Sequence, residues 1–253
     1  MSRSNNTELI NPAKRFLEWK SDKKCFQYYD KEKINPDTKE QGVNVEVKLP
    51  LKFLVLDTLS TIKGYSDSDQ SGFWSNEIRD LKIEPFVVKT KKGECAKGLY
   101  DHIMGGRDMT GAKYCQSVYV MMKEGFAKNQ ITFIANIQIM GSALGQWIEF
   151  RKKNKIFEGA IEVLKETVEG TKGKTVYNMP IFKKIPTTPE SDEQAKKLDI
   201  ELQEYLTKYF KQRNTVVETE VIEKATKTEP EFTPLIDTPV NDETINENDD
   251  LPF

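Results

Sequence analysis

Aromatic side chains interleaved with lysines carry the most chemistry in this chain, because flat rings stack on other π-faces while ammonium groups attract phosphate. Residues 13–33 set Phe16, Trp19, Phe26, Tyr28 and Tyr29 among Lys14, Arg15, Lys20, Lys23, Lys24, Lys31 and Lys33. Phe73-Trp74, with Arg79 behind them, follow the polar, glycine-bounded stretch 64–72. Lys89, Lys91, Lys92 and Lys97 surround Gly93 as a basic finger. Any one of these rings also suits a core. Neighbours on a strand face opposite sides, so Tyr28-Tyr29 and Phe73-Trp74 can each bury one ring and present the other. The stacking candidates are therefore Trp19, Tyr28, Tyr29 and Trp74. Tyr119 joins them, alternating with Val118 and Val120, and it suits a core equally. The phosphate candidates are Lys23, Lys24, Arg79, Lys89, Lys91, Lys92 and Lys97, with Arg107, Lys113, Lys172 and Lys174 as weaker ones of the same kind.

Catalytic and metal chemistry find little support. Cys95, His102 and Cys115 follow Cys-x6-His-x12-Cys, with Cys25 distant, and lack the close Cys-x2-Cys pair that anchors zinc sites. No metal and no cofactor are expected. His102 is the only histidine, with no nucleophile-elbow motif beside it, and no Gly-x4-Gly-Lys-Ser/Thr phosphate loop occurs. Asp67 and Asp69 lack the further oxygen ligands of a calcium loop. Asp80, Glu94 and Lys97 are a loose echo of a carboxylate-lysine nuclease site. The expectation is a non-enzyme.

The elements that would position the rings are mostly strands. Residues 43–62 alternate and are β-branched, reading as one strand bent at Pro50 or as two. A polar loop is expected at 64–72, a short strand or turn at 73–79, a strand at 84–90, and strong strands at 116–123 and 130–140 joined near Gly125. A mobile glycine loop is expected around Gly105-Gly106 and Gly111. Ser142 reads as the cap of a helix to Lys153, residues 160–168 and 175–184 as a hairpin around 169–174, and 190–212 as an amphipathic helix carrying Ala195, Leu198, Leu202 and Leu206. Beyond Asn214 the chain reads as disordered linker.

That tail, residues 214–253, holds eleven acids and two bases, a net −9, whereas the other 36 bases and 29 acids leave residues 1–213 at +7. It ends Asp249-Asp250-Leu251-Pro252-Phe253, a charged, proline-stiffened hook with one large apolar ring. This ending resembles the C-terminal tip of bacterial single-stranded-DNA-binding proteins, usually Asp-Asp-x-Pro-Phe. Body and tail together look more like phage-encoded single-strand binders. The resemblance covers the tip and the general layout only. It implies sequence-blind binding of single-stranded DNA in replication, recombination and repair, and docking of replication and repair proteins by the tip. Phe253 would fill an apolar pocket and Asp249 and Asp250 would steer. The strand pattern fits an OB-type barrel with insertions or a β-sandwich, and the resemblance tips the choice toward the barrel, with an elaborated domain over 1–213 and a tail over 214–253. A strand-annealing protein, or an adaptor or virion protein that never touches DNA, would carry the same features. No run of eighteen apolar residues occurs, and the first residues lack an apolar signal core, so a cytoplasmic, membrane-free protein is expected.

Overall fold

The computed structural model describes residues 9–36, 38–66, 70–105, 111–124 and 131–226. The chain divides into a compact unit, Met1–Tyr209, and a second one, Phe210–Phe253. The first is mainly β. Strands β1 (Arg15–Lys20), β2 (Cys25–Ile34) and β3 (Gln41–Val47) form an antiparallel meander. A separate strand, β4 (Leu51–Ser66), begins after Pro50, which has no N–H to offer a ladder. Then come β5 (Ser71–Ser75), β6 (Phe86–Thr90), β7 (Gly93–Gly98), a short helix α1 (Tyr100–Gly105), β8 (Lys113–Glu124), β9 (Ile131–Met140), helix α2 (Ser142–Lys153), β10 (Ala160–Lys172), β11 (Thr175–Ile185) and helix α3 (Pro189–Thr226).

Four expectations change. Gly64 and Tyr65 belong to β4, because they pair with Phe73 and Gly72 of β5; ladder bonds outweigh the turn-like composition, and 67–69 lie outside the described residues. Gly105, expected in a mobile loop, is the last residue of helix α1, while 106–110 and 125–130 are not described. Ser142 is not the cap of α2: Gly141, at φ 60, takes that place and its carbonyl accepts the Leu144 N–H at 3.2 Å. Helical backbone continues from 212 to Thr226, where linker was expected. The start of α3 follows the sequence, with the Thr188 hydroxyl accepting the Ser191 N–H at 3.2 Å and Leu202 and Leu206 fully buried.

Among the described residues all eleven strands join one sheet, in the order β3-β2-β1-β9-β8-β4-β5-β6-β7, with β10 on the first half of β4 and β11 on β10. The pairing is antiparallel except for β1 and β9, which run parallel. The edge strand β11 returns to β1 through side chains. Asn178 N–H donates to Ser21 Oγ at 2.7 Å, Asn178 Nδ2 to the Ser21 carbonyl at 3.2 Å, and the Trp19 indole to the Asn178 carbonyl at 2.8 Å.

The main core lies inside the circuit β1-β9-β8-β4-β10-β11. Leu17, Phe26, Phe53, Val118, Ile137 and Val163 meet there, and Trp147 of α2 stacks on Phe150 and meets Phe182 edge-on. Its buried indole finds an acceptor in Gln116 Oε1 at 2.8 Å. A smaller core of Ile62, Phe73, Ile78, Phe86, Val88 and Ile103 supports the far end of β4. With one face of β1, β2 and β9 committed inward, the period-2 alternation turns the other face toward a surface groove. Among the described residues no helix is long and apolar enough to cross a membrane.

Candidate nucleic-acid interface

That outward face lines a groove of about 2020 Å³. On β1, Leu17 points into the core and its neighbours Phe16 and Glu18 into the groove; on β2, Tyr28 is buried and Tyr29 is 56% exposed. The same rule acts on β5, where Phe73 packs inward and Trp74 is 45% exposed. Phe16 and Tyr65, 42% and 51% exposed, complete a set of four open rings in one groove. Exposed large aromatics cost hydration free energy and stand out against the ordinary polar surface.

Cations stand between the rings in two kinds. Lys14, Lys31 and Lys113 are exposed along the groove and make no ion pair among the described residues. Lys63 and Lys20 are held at its floor by Glu18: Lys20 Nζ donates to Glu18 Oε2 at 3.1 Å, Lys63 Nζ donates to Glu18 Oε1, and Lys63 also reaches Gln138 Oε1 at 2.5 Å. Burial pushes the Glu18 carboxyl up, but the hydrogen bonds and charges of Lys63 and Lys20 outweigh it and hold it below the ordinary carboxylate range. Across the ladder, Lys113 pairs with Lys63, Lys63 with Trp74, and Trp74 with Lys89, so one row of the sheet reads Lys-Lys-Trp-Lys.

One wall of the groove is polar and buried. Ser117 Oγ donates to Glu77 Oε1, the Tyr119 hydroxyl donates to Glu77 Oε2 at 2.7 Å, and Asn11 Nδ2 donates to the Tyr119 hydroxyl at 3.1 Å. Burial drives the Glu77 carboxyl upward, against the lowering effect of Ser117, Tyr119 and Asn136. From α3, the Tyr209 hydroxyl accepts the Glu77 N–H at 2.9 Å, and Tyr205, stacked on Tyr209 at 6.0 Å, is pushed up to about 12 by burial and the Glu77 charge.

The sequence candidates fall into distinct places. Trp19, Tyr28, Tyr29 and Trp74 line the groove, but only Tyr29 and Trp74 are open. Trp19 is half-buried, its indole tied to Asn178, and the Tyr28 ring is covered by the Arg15 guanidinium at 4.6 Å. Tyr119 is corrected: it is fully buried, because α3 and Glu77 cover the face of β8 on which it stands. Arg79 is turned to Asp57, 2.9 Å away, and lies outside the groove lining. Lys23 pairs with Glu46 at 3.0 Å in the β1–β2 turn, beside the exposed Lys24. Lys89, Lys91, Lys92 and Lys97 are exposed on the β6–β7 hairpin, apart from the groove lining except through the Lys89–Trp74 pair. The tip Asp249–Phe253 lies outside the described residues.

Sequence reasoning missed Phe16, Tyr65 and Lys63 as residues of the groove. The signal was the same period-2 register, since Phe16-x-Glu18-x-Lys20 is the outward set of β1. Among the described residues no three His, Cys, Asp or Glu side chains gather as a metal site. No protein-family model matches the chain, and no curated protein or solved structure matches it either.

Proposed function

We propose that this protein is a non-enzymatic binder of single-stranded DNA that holds the strand in the groove without reading its sequence, in replication, recombination or repair. The observation that carries this is the union, in one groove, of four open aromatic rings with lysines on the face of the sheet that turns away from the core. Sequence-tolerant binding asks for these two things: stacking surfaces, since every base has a π-face, and a cationic track for the backbone. The body, net +7, adds long-range attraction.

We further propose that the body is an elaborated OB-type barrel. The support is the long strand β4 shared between β8 and β10, the parallel closure of β9 on β1, and the placement of α2 between β9 and β10. On this reading β1–β3 and β5–β7 are additions that build the groove walls. The acidic tail would then recruit replication and repair proteins through Asp249, Asp250, Leu251, Pro252 and Phe253, in the cytoplasm of a bacterial or phage-infected cell.

The test is a fluorescence-anisotropy titration with labelled oligo-dT, repeated with a duplex of equal length and with rising salt. Binding of the single strand with a log–log salt slope of about −2 to −3.5, as expected for roughly three to five phosphates at about 0.7 each, supports the proposal. A protein that ignores oligo-dT at low salt, or prefers the duplex, is an adaptor or something else, and the groove reading is then wrong.

A further inference from the structure

The four open rings are not spread evenly. Phe16 on β1 and Tyr29 on β2 share the outward face of two adjacent strands, two residues beyond the Glu18↔Gln27 pair on each. Tyr65 on β4 faces Gly72 of β5, and Trp74 stands two residues further along β5 on the same face, so these two rings are diagonal cross-strand neighbours. Between the pairs, the floor is polar and charged: Glu18 with Lys20 and Lys63, then Gln138. Phe16 stands two residues before Glu18 on β1 and Tyr65 two residues after Lys63 on β4, so at about 3.3 Å per residue on either side of the Lys63–Glu18 contact, plus the reach of those two side chains, the stations lie roughly 25 Å apart.

Resting on the single-strand reading above, we propose that the groove is bivalent. One station, Phe16 and Tyr29, and a second, Tyr65 and Trp74, each hold bases, and a strand binds tightly only when it is long enough to occupy both. Stacked nucleotides advance about 3.4 Å each, so roughly seven at most separate the stations, and fewer in an extended strand. With a base or two held at each end, the threshold falls near eight to ten nucleotides, inside the range of roughly 4–16 for a single-strand site. Gly72, opposite Tyr65 in the ladder, adds no side chain of its own to the second station. The floor between the stations is already internally paired, so it passes the strand along without competing for bases.

The physical consequence is a step in affinity with length. Once one station is occupied, the second sees the strand at an effective concentration in the millimolar range, which multiplies affinity by on the order of a hundredfold or more. The experiment measures affinity for oligo-dT of about four, eight, twelve and sixteen nucleotides, for wild-type protein, Tyr29→Ala, Trp74→Ala and the conservative Trp74→Phe. The expected result is a steep rise between about four and twelve nucleotides in wild type. Trp74→Ala and Tyr29→Ala each flatten that rise, losing on the order of tenfold to a hundredfold on the longer strands, while changing four-nucleotide binding by no more than about twofold. Trp74→Phe keeps the step. A smooth, shallow length dependence in wild type, or an equal loss on short and long strands in the Ala variants, overturns the bivalent site while leaving single-strand binding standing. Failure to bind any length overturns both.

Discussion

If the groove holds DNA as proposed, removing an acid from its middle ought to tighten it, and Glu18 is the residue on which that can be worked out. Its carboxylate holds Lys20 at 3.1 Å and Lys63 beside it, so two of the groove's cations are spent on one another's counterion. In Glu18→Gln the shape and an acceptor oxygen remain, but the charge goes. A phosphate passing about 7 Å away is then relieved of a repulsion worth roughly 0.6 kcal/mol in bulk water and about 2.4 kcal/mol at the effective dielectric of a protein surface. The expected gain in affinity is therefore about three- to sixtyfold at low salt. One or both lysines also become able to neutralise phosphate, steepening the log–log salt slope by about 0.7 to 1.4.

The same change weakens the fold. Glu18 and Lys63 are about a quarter exposed, and losing hydrogen bonds to a charged partner there costs roughly 1–2 kcal/mol. The assay is anisotropy with a twelve-nucleotide oligo-dT from about 50 to 200 mM salt, paired with thermal denaturation. Tighter, more salt-sensitive binding in a less stable protein is the expected signature. Weaker binding, or an unchanged slope, would refute the idea that Glu18 sequesters cations from the DNA.

Tyr119→Phe should lower stability by roughly 1–3 kcal/mol, because Glu77 and Asn11 each lose a buried partner, while oligo-dT affinity stays unchanged; the reverse pattern in melting and binding would return Tyr119 to the interface. The Glu77 carboxyl, raised in the folded state, contributes stability that is present below its unfolded pKa and lost as pH rises through the folded one. Melting curves from about pH 5 to about pH 9 should therefore show Glu77→Gln gaining on wild type as pH rises, and a difference independent of pH would contradict it. Phe253→Ala leaves every side-chain charge in place, so DNA affinity should hold while binding to an isolated replication partner falls steeply; equal partner binding by both proteins would make the tip an ordinary acidic terminus.

Much of the site was legible wherever period-2 alternation decides a side chain's direction. Tyr28-Tyr29 and Phe73-Trp74 split between core and surface as adjacent strand residues must, and Leu202 and Leu206 bury the face of α3 that helical spacing marks. What sequence left out depends on partners distant in the chain. Tyr65 looked like loop because Gly64 and Gly72 flank it, yet the ladder to β5 draws it into a strand. Tyr119 looked outward by alternation, and it does leave the main core, but α3, more than seventy residues later, lies over it. Lys63 falls between the expected strand 43–62 and the expected loop 64–72, and only the parallel pairing of β1 with β9 brings Glu18 and Gln138 to it.

Whether bases stack on the exposed rings can be read from tryptophan itself. Of the three tryptophans, Trp147 is fully buried and Trp19 is pinned through its indole, which leaves Trp74 as the one open to a ligand. Titrating oligo-dT into wild-type protein should quench its intrinsic fluorescence to a plateau, and in Trp74→Phe the quench should vanish while anisotropy of a labelled strand still reports binding. Binding without quenching in wild type, or quenching that survives in Trp74→Phe, would contradict a DNA strand lying in this groove.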